Sequence, residues 1–294
     1  MPSHVSPGIA GALAAANGQP TATHALGVLF DLAQRGVLTI EDAPKQHWYQ
    51  SRDFHVRLLD PAPAELTPYE QGLLDLMFSD KKVGRRETIK MSDLGSRLHS
   101  KLKQYAGPLT ETLIAEGQID PKRQATAKRF TVLGIVSILM ALPLGLLGAV
   151  LASKYGGWPF LLVAVAFILG LVAVIMGSAY SPLSDEGARE AAHWQSFQRY
   201  LRDVTRGRDA AWDLQLFERY LPYAAAFGMV QGWAKAFQKR GGAQIPAWFR
   251  YTAASGDDGF AAFIAMTSAT NTAGATASGG GGGGAGGGGG SGAG

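Results

Sequence analysis

FTVLGIVSILMALPLGLLGAVL at residues 130–151 and WPFLLVAVAFILGLVAVIMGSAY at residues 158–180, joined by ASKYGG at 152–157, decide the fold class of this chain. Each run exceeds the roughly 20 apolar residues that carry a helix across about 30 Å of hydrocarbon. Hydrocarbon offers the backbone no hydrogen-bond partner, and two segments cannot close a barrel, so both runs must be helical. The short connection makes them antiparallel: a transmembrane helical hairpin over 130–180.

Gly134, Pro143, Gly145 and Gly148 would weaken a soluble helix but are common in membrane helices, and Pro143 is expected to kink the first span. Ala141, Gly145 and Ala149 recur four apart on one run, as do Ala166 with Gly170 and Ala173 with Gly177 on the other. Small residues at that spacing let helices approach closely, so intramolecular packing is expected there. Lys122, Arg123, Lys128 and Arg129 precede the hairpin, Arg189, Arg199 and Arg202 follow it, and the connection holds only Lys154. Basic flanks stay in the cytoplasm, so both termini are expected on the cytoplasmic side of a bacterial inner (plasma) membrane. No ionisable residue lies within either span, which counts against a proton relay or ion path in this hairpin alone.

Outside the hairpin the chain alternates helical and strand-like patterns. Pro7–Ala16 and Pro20–Gln34 suit helices, with Gly36 as a stop; Val37–Ile40 and Phe54–Leu58 suit a ribbon. Thr67, Pro68 and Glu70 form a helix start with a capping box. Thr88–Met91, Leu94–Leu98 and Leu102–Glu116 complete a second unit. Ser184 caps a helix whose Trp194, Phe197, Leu201 and Val204 form an apolar stripe in need of a protein partner, within the chain or outside it. Asp209 is expected to cap a further helix running toward Phe237 and bent by Pro222, with Leu216, Phe217 and Tyr220 offered to that stripe.

The expected architecture is therefore a mainly α membrane protein with a winged-helix-like α+β cytoplasmic region. It divides into a winged-helix-like unit over 1–61, a second helical, winged-helix-like unit over 62–129, the hairpin (130–151 and 158–180), a cytoplasmic helical hairpin over 181–249, a short helix or loop over 250–272, and a Gly-rich tail over 273–294. That tail cannot bury enough apolar surface to offset its ordering entropy and is expected to be disordered.

Four stretches carry a resemblance: Leu32-Ala33-Gln34-Arg35-Gly36-Val37-Leu38, the paired spans, Glu218-Arg219-Tyr220-Leu221-Pro222-Tyr223-Ala224 followed by Trp233, and the Gly-rich C-terminus. Together they resemble the C-terminal portion of the bacterial predicted membrane proteins called domain of unknown function 2207. The resemblance implies an outer β domain and one further span upstream, so the chain looks N-terminally shortened. It implies no activity and no catalytic residue.

The residues by themselves suggest no chemistry. The net charge of +4 is modest, and the absence of cysteine excludes disulfides, thiolate nucleophiles and cysteine-ligated metals. Met1–Ala16 lacks the basic start and apolar core of a signal peptide. His4, His24, His47, His55, His99 and His193 show no zinc-hydrolase spacing, and a His47–His55 pair across the ribbon would lack a third ligand. Gly279–Gly290 opens no helix and is no phosphate cradle. Ser3, Ser6 and Ser51 lack a nucleophile elbow, and Asp257-Asp258 suits a helix start. Glu218, Arg219 and Tyr220 suit an ion pair or cap beside Pro222.

The expectation is a non-enzymatic protein with no catalytic, cofactor-binding or metal-binding residues and no cofactor. Its partners are the lipid bilayer and a protein bound by a membrane-anchored scaffold. The alternatives are a membrane-tethered nucleic-acid-binding protein, read from Arg85, Arg86, Lys90, Arg97, Lys101 and Lys103, or a subunit of a larger membrane assembly.

Overall fold

Helix α1 (Pro7–Ala14) opens with a proline in its first turn, where a missing N–H breaks no helical bond. The structure is a computed structural model and describes residues 5–43, 53–59, 65–80, 84–157, 159–208, 214–239, 246–250 and 259–267. Helix α2 (Ala22–Gln34) ends as the sequence predicts, with Gly36 at φ 74°. The Gly36 N–H donates to the Ala33 carbonyl at 3.0 Å and the Val37 N–H to Leu32 at 2.9 Å, which closes the last turn with the two bonds of a left-handed glycine cap. Strands β1 (Leu38–Asp42) and β2 (Phe54–Leu58) follow, then α3 (Pro68–Phe78), the ribbon of β3 (Ser79–Asp80) and β4 (Gly84–Arg85), β5 (Thr88–Lys90), α4 (Met91–Lys101) and α5 (Lys103–Ala115).

The ribbons expected of two separate units belong to one sheet. β2 pairs antiparallel with β1 on one side, Ile40 opposite Val56, and antiparallel with β5 on the other, Val56 opposite Ile89. The expected boundary near residue 62 thus falls between two strands that are hydrogen-bonded neighbours. An isolated two-stranded ribbon would leave the far edge of β2 unpaired, and β5 as a third strand removes that cost.

Beyond α5 come α6 (Pro121–Tyr155), α7 (Pro159–Ala179), α8 (Asp185–Thr205), α9 (Leu214–Ala226), α10 (Val230–Gln238) and β6 (Phe249–Arg250), which adds to β1 in parallel. The side-chain oxygen of Ser184 accepts the Gly187 N–H at 2.9 Å, the expected cap of α8. The stripe of α8 is buried: Trp194 stacks on Tyr223 with ring centroids 5.6 Å apart, and Phe197 meets Tyr220 edge-on at 5.2 Å. Helix α1 packs along α8 as well, and α2 along α9. The stripe of α8 thus meets the segment around Tyr220, with α1 beside it. One cluster of buried side chains runs from Ile9 through Phe54 and Trp194 to Phe263. Asp209 and Trp212 lie outside the described residues, as do His4, His47, Asp257, Asp258 and everything from residue 268 on, including the Gly-rich tail.

Pro222 does not end or divide its helix, because α9 runs through it. The break falls at Gly228, at φ 71°, where the Gly228 N–H donates to Ala225 and the Met229 N–H to Ala224. The uninterrupted apolarity of Leu221–Val230 hides this stop in the sequence.

Helices α6 and α7 pack on each other, and their apolar windows are almost wholly uncovered, with Leu146 74% and Leu142 71% exposed. Both have the length and composition of membrane spans. α6 is longer than its apolar run, since Pro121–Arg129 belongs to the same helix. The two helices approach closely at Gly134, Gly170 and Gly177: a Cβ on Gly170 would stand 2.8 Å from Ile138 Cγ1 and 2.9 Å from the Gly134 carbonyl oxygen, and one on Gly177 2.8 Å from the Thr131 backbone nitrogen. Ser137 Oγ donates across the pair to the Ala166 carbonyl at 2.8 Å. Gly145, expected in this contact, has only Val163 Cγ1 nearby, at 4.0 Å.

The base of the hairpin is tied to the body by backbone. Ile119 and Leu183 form an antiparallel bridge, the Asp120 N–H donates to Pro182 and the Ser184 N–H to Gln118, each at 3.0 Å. Arg123 donates to the Leu183 carbonyl and to Asp185, both at 2.9 Å. Ser181 Oγ reaches the Ala16 carbonyl at the end of α1.

Gly170→Val is expected to lower the apparent melting temperature in detergent, because overpacking costs about 1–3 kcal/mol. Gly145→Ala should leave melting unchanged. Equal effects would place the helix contact elsewhere.

Candidate functional site

Pro222 removes one backbone donor from α9 and so leaves the Glu218 carbonyl without its helical partner. Gln34 Nε2, at the last turn of α2, donates to that carbonyl. The Glu218-to-Ala224 segment is thereby docked on the Leu32-to-Leu38 segment, two stretches far apart in the chain. Gly27 makes the approach possible, since a Cβ there would lie 2.8 Å from the Pro222 carbonyl oxygen and 2.6 Å from Ala226 Cβ.

The next residue, Arg35, caps α2 and lies beside Glu70 in the first turn of α3, with Arg35 Nη1 2.5 Å from Glu70 Oε1. The same nitrogen is 3.4 Å from Asp31 Oδ2, and Nη2 donates to the Glu65 carbonyl at 3.1 Å. Glu70 is nearly inaccessible and spends its second oxygen on the Thr67 N–H at 2.8 Å. A cation at a helix C-terminus thus meets an anion at a helix N-terminus, the favoured end for each. Tyr223 Oη donates to the Val5 carbonyl at 2.7 Å and closes the third side. These groups, with Ser6, Pro7 and Tyr69, line a cleft of about 310 Å³.

Burial pushes the Asp31 carboxyl above its ordinary value against the pull of Arg35. Burial also works against the Arg35 charge, but Glu70 and Asp31 outweigh it and hold the guanidinium more firmly charged. The phenols of Tyr69 and Tyr223 are raised, chiefly by burial. Tyr105 is wholly buried behind α1, its hydroxyl without a hydrogen-bond partner and 2.6 Å from where a Gly8 Cβ would stand. The arrangement offers a fixed cation, two carboxylates and phenolic hydroxyls, a set suited to binding a polar ligand or peptide end.

A family model described as the predicted membrane protein (DUF2207) C-terminal domain matches residues 1–237. The chain belongs to this family. No curated protein and no solved structure matches it. The DUF2207 match takes in both docked segments, the hairpin and Trp233, while the Gly-rich C-terminus lies beyond it. Its description supports reading α6 and α7 as membrane spans.

The polar residues singled out in the sequence lie apart from one another in role. Glu218 forms no ion pair among the described residues; its backbone carbonyl is what the fold uses. Arg219 lies over the Tyr220 ring at 5.8 Å. His55 sits on β2 opposite Lys90 and Glu41, and among the described residues no group of three His, Asp or Glu is arranged to hold a metal ion. Ser6 lines the cleft but has no base beside it among the cleft's residues other than carboxylates. Asp31 and Arg35 escaped notice because their spacing is that of an ordinary helix-surface pair, and Glu70 because its capping role explained it.

Two outcomes follow. Arg35→Ala strands the Glu70 carboxylate and should cost about 1–3 kcal/mol in denaturation of the detergent-solubilised protein, whereas Asp31→Asn should cost under about 1 kcal/mol. Equal costs would mean that Arg35 does not pair with Glu70 in solution.

His24 is buried, its Nδ1 accepts the Thr21 N–H at 3.1 Å, and burial lowers its pKa to about 4. Between pH 6.5 and 4 the unfolded chain takes up a proton that the folded chain refuses. Stability should therefore be level above pH 6.5 and decline as the pH falls, by on the order of 3 kcal/mol once pH 4 is reached. His24→Gln keeps a capping side chain and should flatten that slope; an unchanged slope would assign it to other groups.

Proposed function

We propose that this DUF2207 protein is a membrane-anchored interaction protein that acts by binding rather than catalysis, with its body on the cytoplasmic face of a bacterial plasma membrane and both ends on that side. The basic residues at the outer ends of the hairpin favour this orientation. Spans free of ionisable residues favour an anchor over a conduit. The apolar stripe of α8 no longer supports a docking role, because Tyr220, Tyr223 and α1 cover it.

The observation that carries the reading is the Arg35–Glu70 cleft. A buried ion pair adds little net stability over apolar packing, so charge sunk beside an open cleft favours recognition. The winged-helix, nucleic-acid-binding alternative is less favoured. Arg97 is turned back onto the Met77 carbonyl and Lys101 onto Ser79, and the outward side of α4 presents Ser92, Asp93, Ser96 and His99.

A photo-crosslinking side chain at Val5, on the rim of the cleft, should give a discrete adduct in native membranes that Arg35→Glu abolishes. The same group at Arg199, exposed on α8, should not. Identical adducts at both positions, or none at Val5, would sink the cleft as a recognition surface. A reporter fused after Gly242 should be active only on the cytoplasmic side, and activity on the opposite side would reverse the orientation.

A further inference from the structure

A second cleft, of about 510 Å³, lies on the other side of the segment that leads into α3. Arg57 rises from β2 on the solvent side of the sheet, in register with Thr88 of β5 and flanked by inward-facing Val56. Arg85 comes from β4 and Arg86 from the turn after it, held in place by the Arg86 N–H donating to Phe78 at 2.8 Å and the Glu87 carbonyl accepting the Leu58 N–H at 2.9 Å. Three guanidiniums therefore border one cleft, those of Arg57 and Arg85 carried by strands. Among the described residues Glu87 is the one carboxylate that lines it. Neither Arg57 nor Arg85 pairs with a carboxylate among the described residues, and like charges gathered at one opening repel each other until a counter-charge arrives. The floor is apolar, built from Leu58, Leu66 and the buried Leu74.

We infer that this cleft binds an organic phosphate, with the phosphate on Arg57 and Arg85 and the apolar part of the ester on the leucines. Guanidinium forks match phosphate oxygens two at a time, and a phosphate monoester brings two negative charges where a carboxylate brings one. Arg57 and Arg85 present two guanidiniums for its oxygens. The volume is that of a small-molecule site. The leucine floor selects an ester with an apolar body over free inorganic phosphate. Either a soluble phosphate ester or the headgroup of a phosphate-bearing lipid supplies that chemistry, and the test separates them. This inference is independent of the Arg35 cleft.

The full chain, in a detergent with an uncharged headgroup, is titrated with phenyl phosphate and with inorganic phosphate by calorimetry. Phenyl phosphate should bind, inorganic phosphate should bind more weakly, and the Arg57→Gln/Arg85→Gln double variant should bind phenyl phosphate at least about tenfold more weakly. Both side chains are exposed, so the variant's unliganded melting should match that of the original chain, and Arg199→Gln should bind normally. In nanodiscs of phosphatidylcholine, adding phosphatidic acid should raise the melting temperature of the original chain but not of the double variant if the source is a lipid headgroup. No such rise, with phenyl phosphate still bound through Arg57 and Arg85, assigns a soluble ester. Equal affinity of the double variant and the original chain for phenyl phosphate, or no binding by either with no lipid effect, overturns the site.

Discussion

Hydrocarbon provides no partner for a backbone N–H or C=O, and that constraint fixes more of this protein than its two spans. A helical hairpin satisfies itself inside the bilayer but must return the chain to where it left. Residues 117–120 and 182–184 therefore emerge side by side with unsatisfied backbone, and they satisfy one another through the Ile119–Leu183 bridge and its flanking bonds. Gly187 is needed at this junction because Gln118 lies against its Cα, where a Cβ would collide with the Gln118 carbonyl. The collar sets the segment after α5 against the first turn of α8, and Ser181 brings the end of α1 to the same place. The body is thus assembled around a junction that the membrane imposes.

That topology explains why local elements were readable in the sequence and their partnerships were not. Thr67 with Glu70, the glycine stop at Gly36 and the Ser184 cap are decided by bonds within a few residues, and each stands where the spacing puts it. The company kept by α8 is decided by the return of the chain through the membrane. A short loop to the next helix suggested an antiparallel pair, and α1, nearly two hundred residues earlier, lies along the same helix as well. Sheet membership was hidden for the same reason: alternation in Phe54–Leu58 announces a strand but not that β5 will pair with its far edge.

The prolines and the glycines take their meaning from their neighbours. Helices run through both Pro143 and Pro222. A proline in a helix costs a hydrogen bond only if the freed carbonyl finds no other donor, and for Pro222 that donor, Gln34, comes from a remote helix. Likewise Gly145 shares the spacing of Gly170, but Gly134, Gly170 and Gly177 are pressed against the partner span and Gly145 is not. Four-residue spacing identifies one side of a helix and leaves open which side the neighbour occupies. The cleft residues were illegible for a related reason, since Asp31, Arg35 and Glu70 acquire their shared meaning only when the C-terminus of α2 meets the N-terminus of α3.

The docking of Gln34 on Glu218 gives the two family stretches a joint physical sense. Pro222 frees a carbonyl, Gln34 occupies it, and Gly27 lets the helices close to the distance at which that bond forms. Arg35, the next residue, is then presented to Glu70, while Tyr223, the residue after the proline, reaches back to Val5. Replacing any one of the three would do more than remove its own contact, because the cleft's cation and its tyrosine are positioned by neighbours whose first task is to hold α2 against α9. Structural and recognition roles are therefore carried by adjacent residues of the same two segments, so the helix contact and the cleft geometry cannot vary independently.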